Sequence, residues 1–129
     1  LVGRADLIET ARRNRKMLGG GMRQAGILAA AGLYAVENNV ARLADDHRRA
    51  KRLADGLAQH KALKVVMPDT NILWIEAEAE LGDRLSLYLG EHGVGITGRY
   101  GQQRWVTHLD VTDEDVDGAL ALVDTFFAN

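Results

Sequence analysis

The chain contains no cysteine, one proline, and only two tryptophans, three tyrosines and two phenylalanines. Without cysteine there are no disulfides and no thiolate metal sites. Four scattered histidines, His47, His60, His92 and His108, show no metal-ligand spacing, so no metal site is expected. No apolar run approaches the ~20 residues of a membrane span, and no secretory leader pattern opens the chain, so the expectation is a soluble cytoplasmic protein. Neither sign of charge dominates. Sixteen Lys and Arg stand against eighteen Asp and Glu, interleaved, for a net charge of -2, which leaves no nucleic-acid footprint. An initiator methionine is also missing: the chain opens on Leu1 in sequence that already reads as helical, as if cut from something longer. What is present, 129 residues at 47% hydrophobic content, suffices for one ordinary globular domain with a real core.

The chain is organised around Arg15-Lys16-Met17-Leu18-Gly19-Gly20-Gly21-Met22-Arg23-Gln24-Ala25-Gly26. Three consecutive glycines suit a place where the backbone turns freely or lies close to something. They lead into an apolar stretch, Met22 to Glu37, that predicts a buried helix. A helix beginning at a glycine run would aim unpaired N–H groups and the positive dipole end at one spot, which suits an anion, a phosphate above all. Arg23 in the first turn and Lys16 at the end of the preceding helix would close that site. The alternative is a flexible joint flanked by solvated cations, and the glycine spacing matches neither the Rossmann nor the P-loop pattern.

Along the chain, Asp6 and Glu9 suggest a capping box for a first helix ending near Met17. Val40, Leu43, His47, Ala50, Ala54 and Leu57 mark the apolar stripe of a third helix, with Asp45 and Arg49 as an i,i+4 pair outside it. Leu63 to Met67 reads as a short strand ended by Pro68, and Asn71 to Ile75 as a central strand. Leu81, Leu85, Tyr88 and Leu89 give a fourth helix stopped at His92-Gly93. Val94 to Thr97 and Gln103 to Thr107 are strands about a glycine-bearing turn, the second placing Arg104 and Val106 on one face. Thr112 and Asp115 form a T-x-x-D box before a last helix carrying Val116, Leu120, Val123 and Phe127. The order predicts an α+β fold: a helical lead-in, then a small, mainly antiparallel sheet covered by helices on one face.

The glycine stretch, continued by Ile27-Leu28-Ala29-Ala30-Ala31-Gly32-Leu33-Tyr34-Ala35, resembles the corresponding part of the low-specificity L-threonine aldolases, which use pyridoxal 5'-phosphate. Asp45-Asp46-His47, Asp69-Thr70-Asn71 and Arg104-Trp105-Val106-Thr107-His108-Leu109-Asp110-Val111 are similar to later segments of that family, in order. The resemblance implies the aspartate-aminotransferase-like fold, in a dimer or tetramer that splits β-hydroxy-α-amino acids such as threonine into glycine and an aldehyde. It further implies that residues 1–38 are the last helices of the large cofactor-binding domain and residues 39–129 the small domain. Arg104 would match the arginine that grips the substrate carboxylate. Lys16 and Arg23 would lie at or near the cofactor, Arg23 near its phosphate and reaching it from a partner subunit. For His108 a packing or hydrogen-bonding role is expected rather than a catalytic one, and His47 is expected to be structural.

The Schiff-base lysine, the ring-stacking histidine and the aspartate on the pyridine nitrogen of that family all fall upstream of Leu1, and Lys16, Lys51, Lys61 and Lys64 lack the pattern around such a lysine. The expectation is therefore the C-terminal portion of an aldolase: catalytic residues elsewhere, inactive alone, partnered by its own N-terminal large domain. Two alternatives stand beside it. One is part of another lyase or aminotransferase of the same fold. The other is a non-catalytic assembly module, which an exposed apolar face on Gly21 to Val36 would support.

Overall fold

The computed structural model describes residues 1–128 and contains five helices and one four-stranded sheet. It divides into two units, Leu1–Asn39 and Val40–Asn129; Asn129, the last residue of the expected small domain, lies outside the described residues.

The first unit holds α1 (Ala5–Met17) and α2 (Gly26–Asn38), neither of which has a buried residue. Asp6 does not cap α1. It lies inside the first turn, where the Arg4 guanidinium holds both carboxylate oxygens at 3.1 and 2.7 Å, and the N-cap position is taken by Arg4 itself. At the other end Gly19 takes φ +82°, its N–H reaches the Lys16 carbonyl at 3.2 Å, and the Gly20 N–H reaches the Arg15 carbonyl at 2.8 Å. This is a Schellman cap. The glycine run thus finishes α1 rather than starting α2, which begins four residues later than expected, at Gly26, after a turn through Gln24 at φ +50°. The expected burial of α2 is also absent within its own unit, where Ile27 is 80% exposed and Leu33 63%.

The second unit begins with α3 (Leu43–Leu57), followed by β1 (Lys64–Val66), β2 (Ile72–Glu76), α4 (Ala79–Glu91), β3 (Thr97–Arg99), β4 (Gln102–Val106) and α5 (Asp113–Ala128). The sheet order is β1-β2-β4-β3, every pair antiparallel, with the apolar run of β2 central as expected. Leu73 and Ile75 of β2 and Trp105 of β4 point inward to Leu53 and Leu57 of α3, Leu85 and Leu89 of α4, and Val116 and Val123 of α5, all buried. Each such leucine contributes roughly 1.5–3 kcal/mol by leaving water. α3 lies on β1 and β2, α4 on β3 and β4, and α5 against both helices, so one face of the sheet is covered.

Three local expectations shift. The stripe of α3 runs through Asp46, Ala50, Leu53, Ala54 and Leu57, leaving Leu43 and His47 exposed, because Asp46 is buried inside a two-pronged pair with Arg42 at 3.0 and 2.6 Å. Asp45 meets Arg48 rather than Arg49, since Arg49 turns to Asp113 on α5. Finally, β3 starts at Thr97 and not Val94. The Val94 N–H is taken by the Leu89 carbonyl at 2.9 Å, in a second Schellman cap built on Gly93 at φ +84°. The T-x-x-D box forms as expected: Thr112 N–H donates to Asp115 at 2.8 Å, and Asp115 N–H to the Thr112 hydroxyl at 3.1 Å. The Thr112 N–H and the Thr112 hydroxyl, which also donates to Asp115 Oδ2 at 2.8 Å, hold the Asp115 carboxyl below the usual range.

Candidate functional site

The uncovered face of the sheet is where the alternation of β4 becomes chemistry. Gln103 and Trp105 face the core while Arg104 and Val106 face out, sharing one face as the period of a strand predicts. Inside, Gln103 Nε2 donates to the Gly82 carbonyl at 2.9 Å and to Ser86 Oγ at 3.0 Å, and its Oε1 accepts from Trp105 Nε1 at 3.2 Å. That network fixes the strand's roll. Asn71 and Thr107 fasten its exit, Asn71 Nδ2 donating to the Thr107 carbonyl at 2.8 Å and the Thr107 hydroxyl to the Asp46 carbonyl at 2.7 Å.

On the outer side Arg104 is the register partner of Trp74 on β2 and of Thr97 on β3, and Val66 stands beyond Trp74. Thr97 Oγ1 donates to the Arg104 backbone carbonyl at 3.3 Å. The Arg104 side chain is exposed and, among the described residues, makes no hydrogen bond or ion pair. It lines a groove of about 340 Å³ with Met67, Pro68, Asp69, Ile72 and Trp74. A free fork on a rigid central strand is suited to a planar anion. Trp74 was missed in the sequence because Ile72-Leu73-Trp74-Ile75 is apolar at every position and carries no signal of which side faces out.

None of the other expected residues lines this groove. Lys16 and Arg23 belong to the first unit, both exposed and, among the described residues, without an acidic partner. The bend between them brings Lys16 Nζ to 3.5 Å from where a Cβ of Gly21 would stand, while Arg23 precedes α2 instead of sitting in its first turn. A larger cleft, about 530 Å³, opens between the segment after α4 and the start of α5 and includes His92, His108 and Glu114, but not Arg104. Its histidines are engaged locally: His108 Nδ1 accepts the Asp110 N–H at 3.3 Å, and His92 Nδ1 lies 2.7 Å from the Tyr88 carbonyl. No group of three or more potential metal ligands occurs among the described residues, and no helix there is long and apolar enough to cross a membrane.

Comparison with known proteins gives consistent matches. The Beta-eliminating lyase family profile matches residues 1–80. The low specificity L-threonine aldolase of Escherichia coli K12 is 45% identical over 128 residues, which is 99% of this chain and 38% of that protein. Low-specificity L-threonine aldolase 1 of Arabidopsis thaliana is 39% identical over 94% of the chain and 36% of its own length. Among solved structures, a transaminase with L-ala superposes with a TM-score of 0.65 at 18% identity, over 90% of this chain and 30% of that one, a likeness of fold. The chain spans a little over a third of the relatives it matches.

Proposed function

Because the chain belongs to the Beta-eliminating lyase family, we propose that it is the C-terminal part of a pyridoxal-phosphate aldolase that cleaves L-threonine and related β-hydroxy-α-amino acids to glycine and an aldehyde. The observation that carries the reading is Arg104: a guanidinium unpaired among the described residues, presented by a strand whose inner face is locked, on the one face of the sheet that its own unit leaves open. Its role is to hold the substrate carboxylate by two parallel hydrogen bonds, fixing the amino acid so that one Cα bond is aligned for cleavage.

The cofactor fits this chain in part. Lys16 and Arg23, cations without an acidic partner among the described residues on either side of a glycine bend, suit its phosphate. All four lysines, Lys16, Lys51, Lys61 and Lys64, are exposed and none lines either cleft, so none has the enclosed pocket a Schiff-base lysine needs. That lysine is assigned to the larger part of the enzyme. When bound, the cofactor supplies an electron sink for the breaking Cα–Cβ bond; this chain supplies the carboxylate clamp and phosphate contacts. The complete enzyme is read as a cytoplasmic homo-oligomer, dimer or tetramer, in which this chain packs with its own large domain.

The test is a chimera in which this chain replaces the matching 38% of the Escherichia coli relative. Threonine cleavage is expected, with Arg104→Ala lowering kcat/KM by about 10²-fold, the scale of a lost charge-assisted fork. Transamination without aldol cleavage would favour another enzyme of the same fold. Arg104→Ala with undiminished kcat/KM would remove the carboxylate-clamp reading.

A further inference from the structure

Arg104 does not stand alone on the open face. Trp74 is its direct register partner across the central strand pair and half exposed, at 50%, although tryptophan is costly to leave in water. No cation–π contact joins the two among the described residues, where the one such contact is Arg84 over Phe126. The indole face and the guanidinium fork are therefore both unused, side by side, in one groove. Ile72 and Met67 extend the apolar surface from the indole, at 37% and 47% exposure. Asp69, on the same groove, makes no ion pair with Arg104 or with any other described cation. One cation, one anion and an apolar wall suit a ligand with a single carboxylate and an apolar body, and disfavour a dicarboxylate, whose second charge would meet Asp69.

We propose that Trp74 is a specificity-determining residue of this groove: it takes the apolar body of a small monocarboxylate whose charged end is held by Arg104. The inference rests on the reading of Arg104 as a carboxylate clamp and adds the group that chooses among carboxylates. An indole covered by a ligand's side chain leaves water only when that side chain is large enough to reach it, so the groove discriminates by side-chain size.

The two tryptophans make the test self-controlled. Trp74 faces the groove, whereas Trp105 is 4% exposed on the opposite side of the sheet, its Nε1 donating to Gln103. Nitrogen-resolved NMR of the chain, titrated with acetate and with 3-phenylpropanoate, is expected to move the Trp74 indole N–H and the Arg104 Nε–H together. The Trp105 indole signal should stay at its folded position. The aryl acid should bind about 10-fold more tightly than acetate. Trp74→Ala should abolish that preference while sparing acetate binding, and Arg104→Ala should abolish both. In the chimera, Trp74→Ala should lower kcat/KM for a β-aryl β-hydroxy-α-amino acid about 10-fold more than for threonine, mainly through KM, and Trp74→Phe should restore that ratio. Equal affinity for the two acids, or a preference that survives Trp74→Ala, overturns the role of Trp74 and leaves the clamp standing. Carboxylate binding that is missing, or indifferent to Arg104→Ala, overturns the clamp and this proposal with it.

Discussion

At the scale of single residues, the outward Arg104 depends on an inward Gln103, which is buried with three hydrogen bonds satisfied inside the core. Replacing it by an apolar residue of similar size strands the buried Trp105 Nε1–H, while the Gly82 carbonyl and the Ser86 hydroxyl keep only their 2.9 Å bond to each other. Gln103→Leu is therefore expected to lose about 1–3 kcal/mol, the range for buried polar groups left without partners. A urea midpoint that falls with unchanged slope checks this. That Arg104 and Val106 share one face was legible from the two-residue period of a strand, although β4 does not alternate in polarity, since polar Gln103 faces in and apolar Val106 faces out. The other half of the groove was not, because Ile72 to Ile75 of β2 are apolar at every position and the register with β4 places Trp74 beside Arg104. Asp46 misled for the opposite reason: a carboxylate reads as surface until its partner Arg42, four residues earlier, is seen to accompany it inward.

Among elements, the most conspicuous stretch of the sequence proves to be a helix ending. Gly19 and Gly93 adopt φ values of +82° and +84° and close α1 and α4 with the same pair of backbone hydrogen bonds. Nothing lies within 4 Å of a Cβ built on Gly93, so Gly93→Ala tests the backbone alone. It should destabilise by about 1 kcal/mol, the left-handed penalty for an L side chain. Gly90→Ala, three residues earlier in the helical part of α4 and equally open, should stabilise by up to about 1 kcal/mol. Thermal unfolding of both variants reads the opposite signs. Helix ends were otherwise legible wherever a local device writes them, as Thr112 and Asp115 do for α5. The start of α2 was not, because three glycines fit the end of one helix as well as the beginning of the next.

For the molecule as a whole, α3 and α5 are joined by charges distant in sequence. Arg48 and Arg49 meet Asp113 at 2.9 and 3.2 Å, Arg52 meets Asp117, and His60 meets Asp124 at 2.9 Å. Partner numbers rise together along both helices, so the two run parallel. The fork of Arg48, then the single Nε–H of Arg49, hold the Asp113 carboxyl down to about 2 from the usual 3.8. A depressed carboxyl stabilises the fold above its unfolded value, and that contribution is lost as pH falls from about 4 to about 2. Asp113→Asn should accordingly be less stable than the parent near pH 6, converge with it near pH 2, and show a smaller difference in high salt. Urea midpoints across that range give the comparison. The α+β class and the one-sided sheet were legible from the order of periodicities. The bareness of α2 was legible only in part: its apolar composition says that it belongs against something, and its own unit offers no such surface.

The sheet order also sets an order in time. β3 and β4 are joined through Tyr100 and Gly101, both at positive φ, so this hairpin closes a two-residue loop. The central partners Trp74 and Arg104 must instead bring together points 30 residues apart, across α4. Loop-closure entropy makes the first pairing early and the second late. Arg104 thus waits on an edge of a nascent ribbon until β2 arrives, and the groove comes into being in the same step that completes the fold.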